Sequence, residues 1–158
     1  MTYNIFVSYS SKDAEIAKKV QKYFGQIQGT SVFLAENELI IGSLSQAIIQ
    51  FIRQSDLFLV LYSRNSHSST YVQQEIGVAL GNNKIIIPIL LDAEAKPDAM
   101  IGNVQYLSIY DEQKRNEQLP RLYSYIVQQT QRKAGNTALL GLGALALLYY
   151  AAKEEENL

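Results

Sequence analysis

Glu75 and Tyr71 are the residues whose types and spacing best support chemistry. They lie four positions apart in a stretch with apolar residues at helical spacing, so they share one face of a predicted helix. This face borders the apolar stripe of Val72, Ile76 and Ala79, which predicts a half-buried carboxylate at the rim of a domain. Such a carboxylate can stabilise the positive charge that develops on a sugar when a glycosidic bond breaks. The alternative is a solvated helix glutamate without a chemical role.

The composition excludes several other kinds of site. The 158-residue chain has no cysteine and one histidine, His67, so thiolate nucleophiles, disulfides and cysteine-based zinc sites cannot form. A Ser-His-Asp triad would need His67, but the sequence lacks the G-x-S-x-G turn that presents such a serine. We predict no metal site. With 14 basic and 15 acidic side chains the formal charge is −1, which provides no basic footprint for nucleic acid.

Short apolar runs alternate with helical patterns along most of the chain. Runs rich in β-branched and aromatic residues predict strands over residues 5–9, 31–34, 57–62, 84–91 and 104–109. Apolar residues at three- and four-residue spacing predict amphipathic helices between them, the third over residues 70–80 and the last over residues 119–127. Pro88 predicts a bulge or an irregular end in the fourth strand. Residues 35–42 and 64–69 have no clear period and are predicted to be loops.

Strands that are apolar throughout, separated by helices, indicate an α/β fold whose parallel sheet is covered by helices on both faces. Ligands of such sheets bind beyond the carboxyl ends of the strands, where the strand order switches direction. This rule directs attention to residues 8–11, 35–42 and 64–75. Response-regulator receivers share the pattern but need acidic residues at the ends of the first and third strands. The chain has serine and tyrosine there, so nothing could hold Mg²⁺ or accept a phosphoryl group.

Several segments occur in the order found in one known family. Residues 5–13 read IFVSYSSKD and resemble the F-[IV]-S-Y-S-x-x-D start of TIR domains. Residues 70–76 read TYVQQEI and are similar to the family's W-x-x-x-E helix, with Tyr71 in place of tryptophan. Residues 84–91 resemble its I-I-P-[IV] strand, and Gly42 stands where the family's BB loop has a glycine. The resemblance covers residues 1–132 and implies a flavodoxin-like sheet of five parallel strands.

The resemblance also implies an activity and a site. Many TIR domains cleave the nicotinamide–ribose bond of NAD⁺, and in these enzymes the glutamate that matches Glu75 is catalytic. NAD⁺ would be the substrate, and no cofactor is expected. The pocket of these enzymes is lined by the helix aromatic, the end of the first strand and the BB loop. The substrate-binding residues implied in this way are Tyr9, Ser10, Ser11, Leu39, Gly42, Leu44 and Tyr71.

The family leaves a second function open, because other members are non-enzymatic adaptors that self-associate and recruit TIR proteins. Ala35, Glu38 and Tyr71 depart from the residues usual in the enzymes and keep this alternative open. Bacterial enzymes of the family act in defence against phage or as virulence factors, and release ADP-ribose or a cyclic isomer that a downstream effector can sense. Many need assembly to complete the pocket, so we expect a homo-oligomer.

Residues 133–158 form a second segment. Residues 137–152 carry no charge, whereas Arg132 and Lys133 precede them and an acidic run follows. A helix over residues 134–152 would span roughly 28 Å, close to the hydrocarbon core of a bilayer. The sequence leaves two alternatives, a membrane anchor and an apolar helix buried in an oligomer. No secretory signal is visible at the start, and the basic residues before the segment would keep the domain cytoplasmic, anchored to the inner membrane in the first case.

Overall fold

The structure, a computed structural model, describes residues 1–35, 44–95, 101–102 and 104–135. Strands and helices alternate through these ranges, as the sequence pattern predicts. The strands are β1 (Tyr3–Ser8), β2 (Thr30–Leu34), β3 (Leu57–Tyr62), β4 (Ile85–Leu90) and β5 (Leu107–Ser108). The helices are α1 (Ala14–Gly25), α2 (Gln46–Gln54), α3 (Arg64–His67), α4 (Thr70–Gly81) and α5 (Glu112–Lys133). A single 3-10 turn, Ser11–Asp13, precedes α1.

The five strands pair in parallel in the order β2-β1-β3-β4-β5. This is the flavodoxin-like order, and it confirms the predicted fold class. The chain passes from β1 to β2 on one side and then returns to place β3 on the other side of β1. The switch point of the sheet therefore lies between β1 and β3, whose register ends with Ser8 opposite Val60.

Helices cover both faces of the sheet, and each face has its own apolar core. Every residue of β3 is buried, which explains why this strand reads as an uninterrupted apolar run. One face of the sheet packs against α1 and α5 through Ile5, Val7, Phe24, Leu59, Leu122 and Ile126. The other packs against α2 and α4 through Phe6, Ile52, Phe58, Val60, Val72 and Ile76.

Pro88 does not produce the predicted bulge, because β4 keeps a continuous register with β3 from Ile85 to Leu90. The amide of Leu91 donates to Tyr62 of β3 at 2.9 Å. Backbone amides alternate along a strand, so the nitrogen of Pro88 faces β5. Pairing with β5 begins only at Ile89, and the amide that proline lacks is therefore not needed.

Two other boundaries differ from the sequence prediction. The fifth strand is only Leu107–Ser108, because the amide of Val104 donates to the carbonyl of Ile101 in a turn at 3.0 Å. Residues 64–69, predicted as loop, contain the short helix α3. A capping box forms it, in which the amide of Ser66 donates to the hydroxyl of Ser63 at 3.2 Å and the amide of Ser63 donates to the hydroxyl of Ser66 at 2.6 Å.

The last helix runs back from the carboxyl end of the sheet to the edge where the strands begin. There Lys133 pairs with Asp56 at 2.6 Å, and Asp56 precedes β3. Gly29 adopts a φ of 86°, and a Cβ at this position would meet Cγ2 of Thr130 at 2.7 Å. Glycine therefore allows the close approach of α5 to the turn before β2.

The described chain turns away from α5 after Lys133, because Gly135 has a left-handed φ of 83°. The predicted tail helix therefore does not begin at residue 134, and residues 136–152 lie outside the described residues. Across residues 1–35, 44–95 and 104–135, no helix has both the length and the apolarity to cross a bilayer.

Candidate functional site

Glu75 lies on the face of α4 that packs against the sheet. Ser69 starts this helix, with its hydroxyl accepting from the amide of Val72 at 3.4 Å. Val72, Ile76 and Ala79 are fully buried, and Glu75 is 2% exposed. The predicted half-buried position is therefore wrong, because Glu75 lies within the core-facing stripe and not at its edge. A buried carboxyl group needs a polar partner to offset its desolvation.

Ser8 is that partner. It is the last residue of β1 and is fully buried, and its hydroxyl donates a hydrogen bond to Oε2 of Glu75. The pair joins α4 to the carboxyl end of β1, next to the switch point between β1 and β3. This is the place in a doubly wound sheet where ligands bind.

Burial sets the protonation of Glu75. It raises the pKa of the Glu75 carboxyl from 4.5 to about 7, although the hydrogen bond from Ser8 acts in the opposite direction. The burial effect is the larger because the charged form has lost its water, while one hydroxyl donor returns only part of that stabilisation. Near neutral pH the group therefore exists in both forms. Perturbed carboxyl groups of this kind are frequent at catalytic sites.

Three of the predicted substrate-binding residues, Tyr9, Ser10 and Ser11, follow Ser8 of this pair along the chain from the end of β1. Tyr9 and Ser10 follow Ser8 directly and are 7% and 6% exposed. Ser10 starts the 3-10 turn, its hydroxyl accepting from the amide of Lys12 at 3.4 Å, and Ser11 is exposed. Of these three residues, Ser11 thus offers the most surface to a ligand.

Of the four remaining predicted residues, the structure describes Tyr71 and Leu44. Tyr71 is half-buried one turn before Glu75 on α4, and Leu44 is half-buried just before α2. Leu39 and Gly42 lie outside the described residues. In the part of the chain that the structure describes, no group of three or more His, Asp and Glu side chains is placed to hold a metal ion.

Three polar residues of this region, Ser8, Asp13 and Ser63, are not among the predicted site residues, although Ser8 lies in the predicted ligand-binding range 8–11. Each is less than 10% exposed and hydrogen-bonded to a residue at least 50 positions away. A serine at the end of an apolar strand gives no sign of its partner, and Asp13 stands out in the sequence only as part of the IFVSYSSKD motif. The available signal was their position at the carboxyl ends of β1 and β3.

His67 contacts the core from an exposed position. Its Nδ1 lies 3.1 Å from the hydroxyl of Tyr62, and the two rings meet edge to face. Tyr62 is fully buried at the end of β3, so this hydrogen bond satisfies its hydroxyl. His67 thereby lies over the same edge of the sheet as Glu75.

The fold and the buried acid define a flavodoxin-like domain with a candidate site at its switch point. The family model described as TIR domain matches residues 5–123. The chain belongs to the TIR domain family, which confirms the resemblance of its motifs. Comparison with the curated proteins finds no match.

Solved structures show the same fold at low sequence identity. The TIR domain of the Toll-related receptor TRR-2 from Hydra magnipapillata is similar with a TM-score of 0.64 and 19% identity, over 79% of this chain and 98% of that one. The TIR domains of the activated Roq1 resistosome, which recognises the pathogen effector XopQ, are similar with a TM-score of 0.56 and 16% identity, over 84% of this chain and 99% of that one. The CMP N-glycosidase BcmB of Clostridium botulinum is similar with a TM-score of 0.53 and 22% identity, over 76% of this chain and 98% of that one.

Proposed function

We propose that this TIR domain cleaves the nicotinamide–ribose bond of NAD⁺, with Glu75 as the catalytic residue. The observation that carries the proposal is the buried Glu75 carboxyl, held by Ser8 at the switch point of the sheet with a pKa of about 7. A glutamate that served only solubility would face water. Placing an ionisable group in the core costs stability, and such a cost is typical of functional sites.

The reaction suits a single carboxylate. When the bond breaks, its electron pair goes to the nicotinamide nitrogen, which becomes neutral, and positive charge develops on the ribose C1 and ring oxygen. The ionised Glu75 stabilises that charge, and the effect is strong where water is excluded. A water molecule then adds to C1, giving ADP-ribose and a proton. Attack by a nucleophilic atom of the same molecule gives a cyclic isomer instead.

The family and one structural neighbour support this chemistry. TIR domains include NAD⁺-cleaving enzymes, and the neighbour named as a CMP N-glycosidase indicates that a similar fold supports cleavage at an N-glycosidic bond. The carboxylate of Glu75 and the aromatic ring of Tyr71 are the two features that this reaction would use. Tyr71 would pack beside the nicotinamide or ribose.

We further propose the setting in which the reaction occurs. The domain works in the cytoplasm as a homo-oligomer, without a bound cofactor, and its product is a signal in defence against phage. The TIR domains of a resistosome among the structural neighbours support assembly. Membrane anchoring through residues 134–152 and burial of that segment in the oligomer remain two alternatives.

A second candidate is an adaptor without enzymatic activity, which recruits other TIR domains. One observation favours it. Glu75 is only 2% exposed, so its carboxyl group offers almost no accessible surface to a substrate. Tyr71 also gives a smaller ring than the tryptophan found in the enzymes.

The two candidates differ in one assay. Concentrated full-length protein is incubated with NAD⁺, and free nicotinamide is measured by chromatography. Release supports the enzyme, and analysis of the sugar product then separates ADP-ribose from a cyclic isomer. Intact NAD⁺ after prolonged incubation at high protein concentration would favour the adaptor.

A further inference from the structure

A buried aspartate joins the segment after β1 to the segment after β3. Asp13 ends the 3-10 turn and is 8% exposed. Its Oδ2 accepts a hydrogen bond from the hydroxyl of Ser63 at 2.5 Å, and its Oδ1 accepts one from Nδ2 of Asn65 at 3.2 Å. Both partners lie beyond the end of β3, at least 50 residues away along the chain.

This bridge spans the switch point of the sheet. The register of β1 with β3 ends at Ser8 opposite Val60. Beyond these residues the chain leads from β1 into α1 and from β3 through α3 into α4, and α1 and α4 cover opposite faces of the sheet. Ser8, which holds Glu75, lies on the β1 side of the switch point. The chain that leads through α3 to Glu75 starts on the β3 side, at Ser63.

The bridge also fixes the start of α3. The hydroxyl of Ser63 accepts from the amide of Ser66 at 3.2 Å, and its own proton goes to Asp13. Ser63 is 2% exposed and Ser66 is fully buried. Loss of the Asp13 carboxylate would leave a buried hydroxyl without an acceptor, and such a group is costly. The turn after β1 is held as well, because the amide of Asp13 donates to the carbonyl of Ser10 at 2.8 Å.

We propose that Asp13 is a positioning residue that holds the segment leading into α4, and with it Glu75, against the end of β1. Its effect on catalysis rests on the proposed NAD⁺ cleavage. Reactions in preorganised sites are sensitive to small displacements, since a misplacement of about 1 Å can cost on the order of 100-fold in rate. Asp13 would therefore act on kcat through geometry, without contacting the substrate.

Two substitutions of Asp13 test this role in the full-length chain. In Asp13→Ala, the hydroxyl of Ser63 and the side-chain amide of Asn65 both lose their acceptor. Asp13→Asn is the matched control, because its amide oxygen can still accept from Ser63 and its amide group can donate to Asn65 once the amide of Asn65 rotates. We expect Asp13→Ala to lower kcat for nicotinamide release by roughly 10- to 100-fold with a smaller change in KM, and Asp13→Asn to keep most of the wild-type kcat.

Amide hydrogen exchange gives a readout that does not depend on activity. Exchange in residues 9–12 and 64–66 should rise in Asp13→Ala and stay close to the wild-type rate in Asp13→Asn, while α5 serves as the internal reference. Unchanged exchange in Asp13→Ala would reject the bridge. Faster exchange with an unchanged kcat would reject the positioning role. Faster exchange with no nicotinamide release from the wild type would reject the proposed function while the bridge stands.

Discussion

Burial of Glu75 on the sheet-facing side of α4 costs stability and, in the proposed reaction, has a chemical use. The carboxyl pKa of about 7 means that the ionised form, which stabilises the developing ribose cation, is lost as the pH falls through neutrality. We therefore expect kcat for NAD⁺ cleavage to decline below about pH 7, with the acid limb of the profile set by Glu75.

Ser8 should control the position of that limb. Its hydrogen bond lowers the pKa of Glu75, so Ser8→Ala should raise this pKa and move the acid limb to higher pH. Profiles of kcat against pH for the wild type, Ser8→Ala and the exposed control Ser124→Ala measure the shift. An acid limb at the same pH in all three proteins would show that Ser8 does not tune the catalytic group.

The same pKa makes a prediction about stability. In the folded state the pKa of Glu75 is about 7, above the ordinary value of 4.5, so the folded protein binds this proton more tightly than the unfolded chain. The wild type therefore loses about 2 to 3 kcal/mol of folding free energy as the pH rises from about 5 to 8. Glu75→Gln does not titrate and still offers Ser8 an acceptor.

Glu75→Gln should thus gain in thermal stability relative to the wild type as the pH rises, which melting curves at pH 5 and pH 8 would measure. Other titrating groups cancel in the difference between the two proteins. An equal difference in melting temperature at both pH values would mean that the carboxyl of Glu75 is not perturbed.

At the scale of elements, the apolar patterns predict the five strands and the main helices, since burial of β3 and of helix faces leaves a periodic signal. They do not predict α3, because its capping box of Ser63 and Ser66 stabilises a polar segment without any apolar period. They also overextend β5, where apolar residues pack in a turn. The contact between Ser8 and Glu75 spans 67 residues, and no local pattern encodes a contact of that kind.

The ion pair between Lys133 and Asp56 should anchor α5 to the sheet. Their side chains are 27% exposed and 2.6 Å apart, and Asp56 also accepts from the amide of Asn4 at 2.8 Å. We expect Lys133→Met to lower the free energy of unfolding by about 1 kcal/mol, as is typical of partly exposed pairs, in chemical denaturation. Nicotinamide release should be unchanged, because the pair lies at the edge where the strands begin, opposite Glu75.

Lys18→Met is the matched control, since Lys18 lies 3.8 Å from Glu15 and both side chains are mostly exposed. It should leave stability nearly unchanged. The anchoring role would be contradicted if the two lysine variants lost equal stability, or if Lys133→Met lost activity while folded.

At the scale of the whole molecule, the site and the end of α5 lie at opposite edges of the sheet. Gly135 therefore lies at the edge of the sheet opposite Glu75. Because many TIR domains need assembly to complete the pocket, we predict that activity depends on protein concentration. Specific activity of the full-length protein should fall on dilution, in parallel with the loss of oligomer seen by light scattering. Constant specific activity in a purely monomeric sample would contradict assembly.

The sequence also predicts the α/β class and the family at this scale, because several motifs stand in the right order. It cannot specify whether the product is linear or cyclic, since that depends on how the crevice folds the substrate. Nor does composition choose between the two alternatives for residues 134–152, because a bilayer and an oligomer core favour the same apolar side chains.

The most direct test is the rate of nicotinamide release from NAD⁺ at pH 8 by full-length wild type, Glu75→Gln and Glu117→Gln. The first substitution removes the buried carboxylate at the switch point, and the second removes the same charge from an exposed position on α5. We predict that the wild type and Glu117→Gln release nicotinamide at similar rates. In Glu75→Gln the rate of release should fall by at least about 100-fold, which is the order of magnitude found when a group that stabilises a transition state is removed. Equal release by all three proteins would contradict the assignment of Glu75 as the catalytic residue.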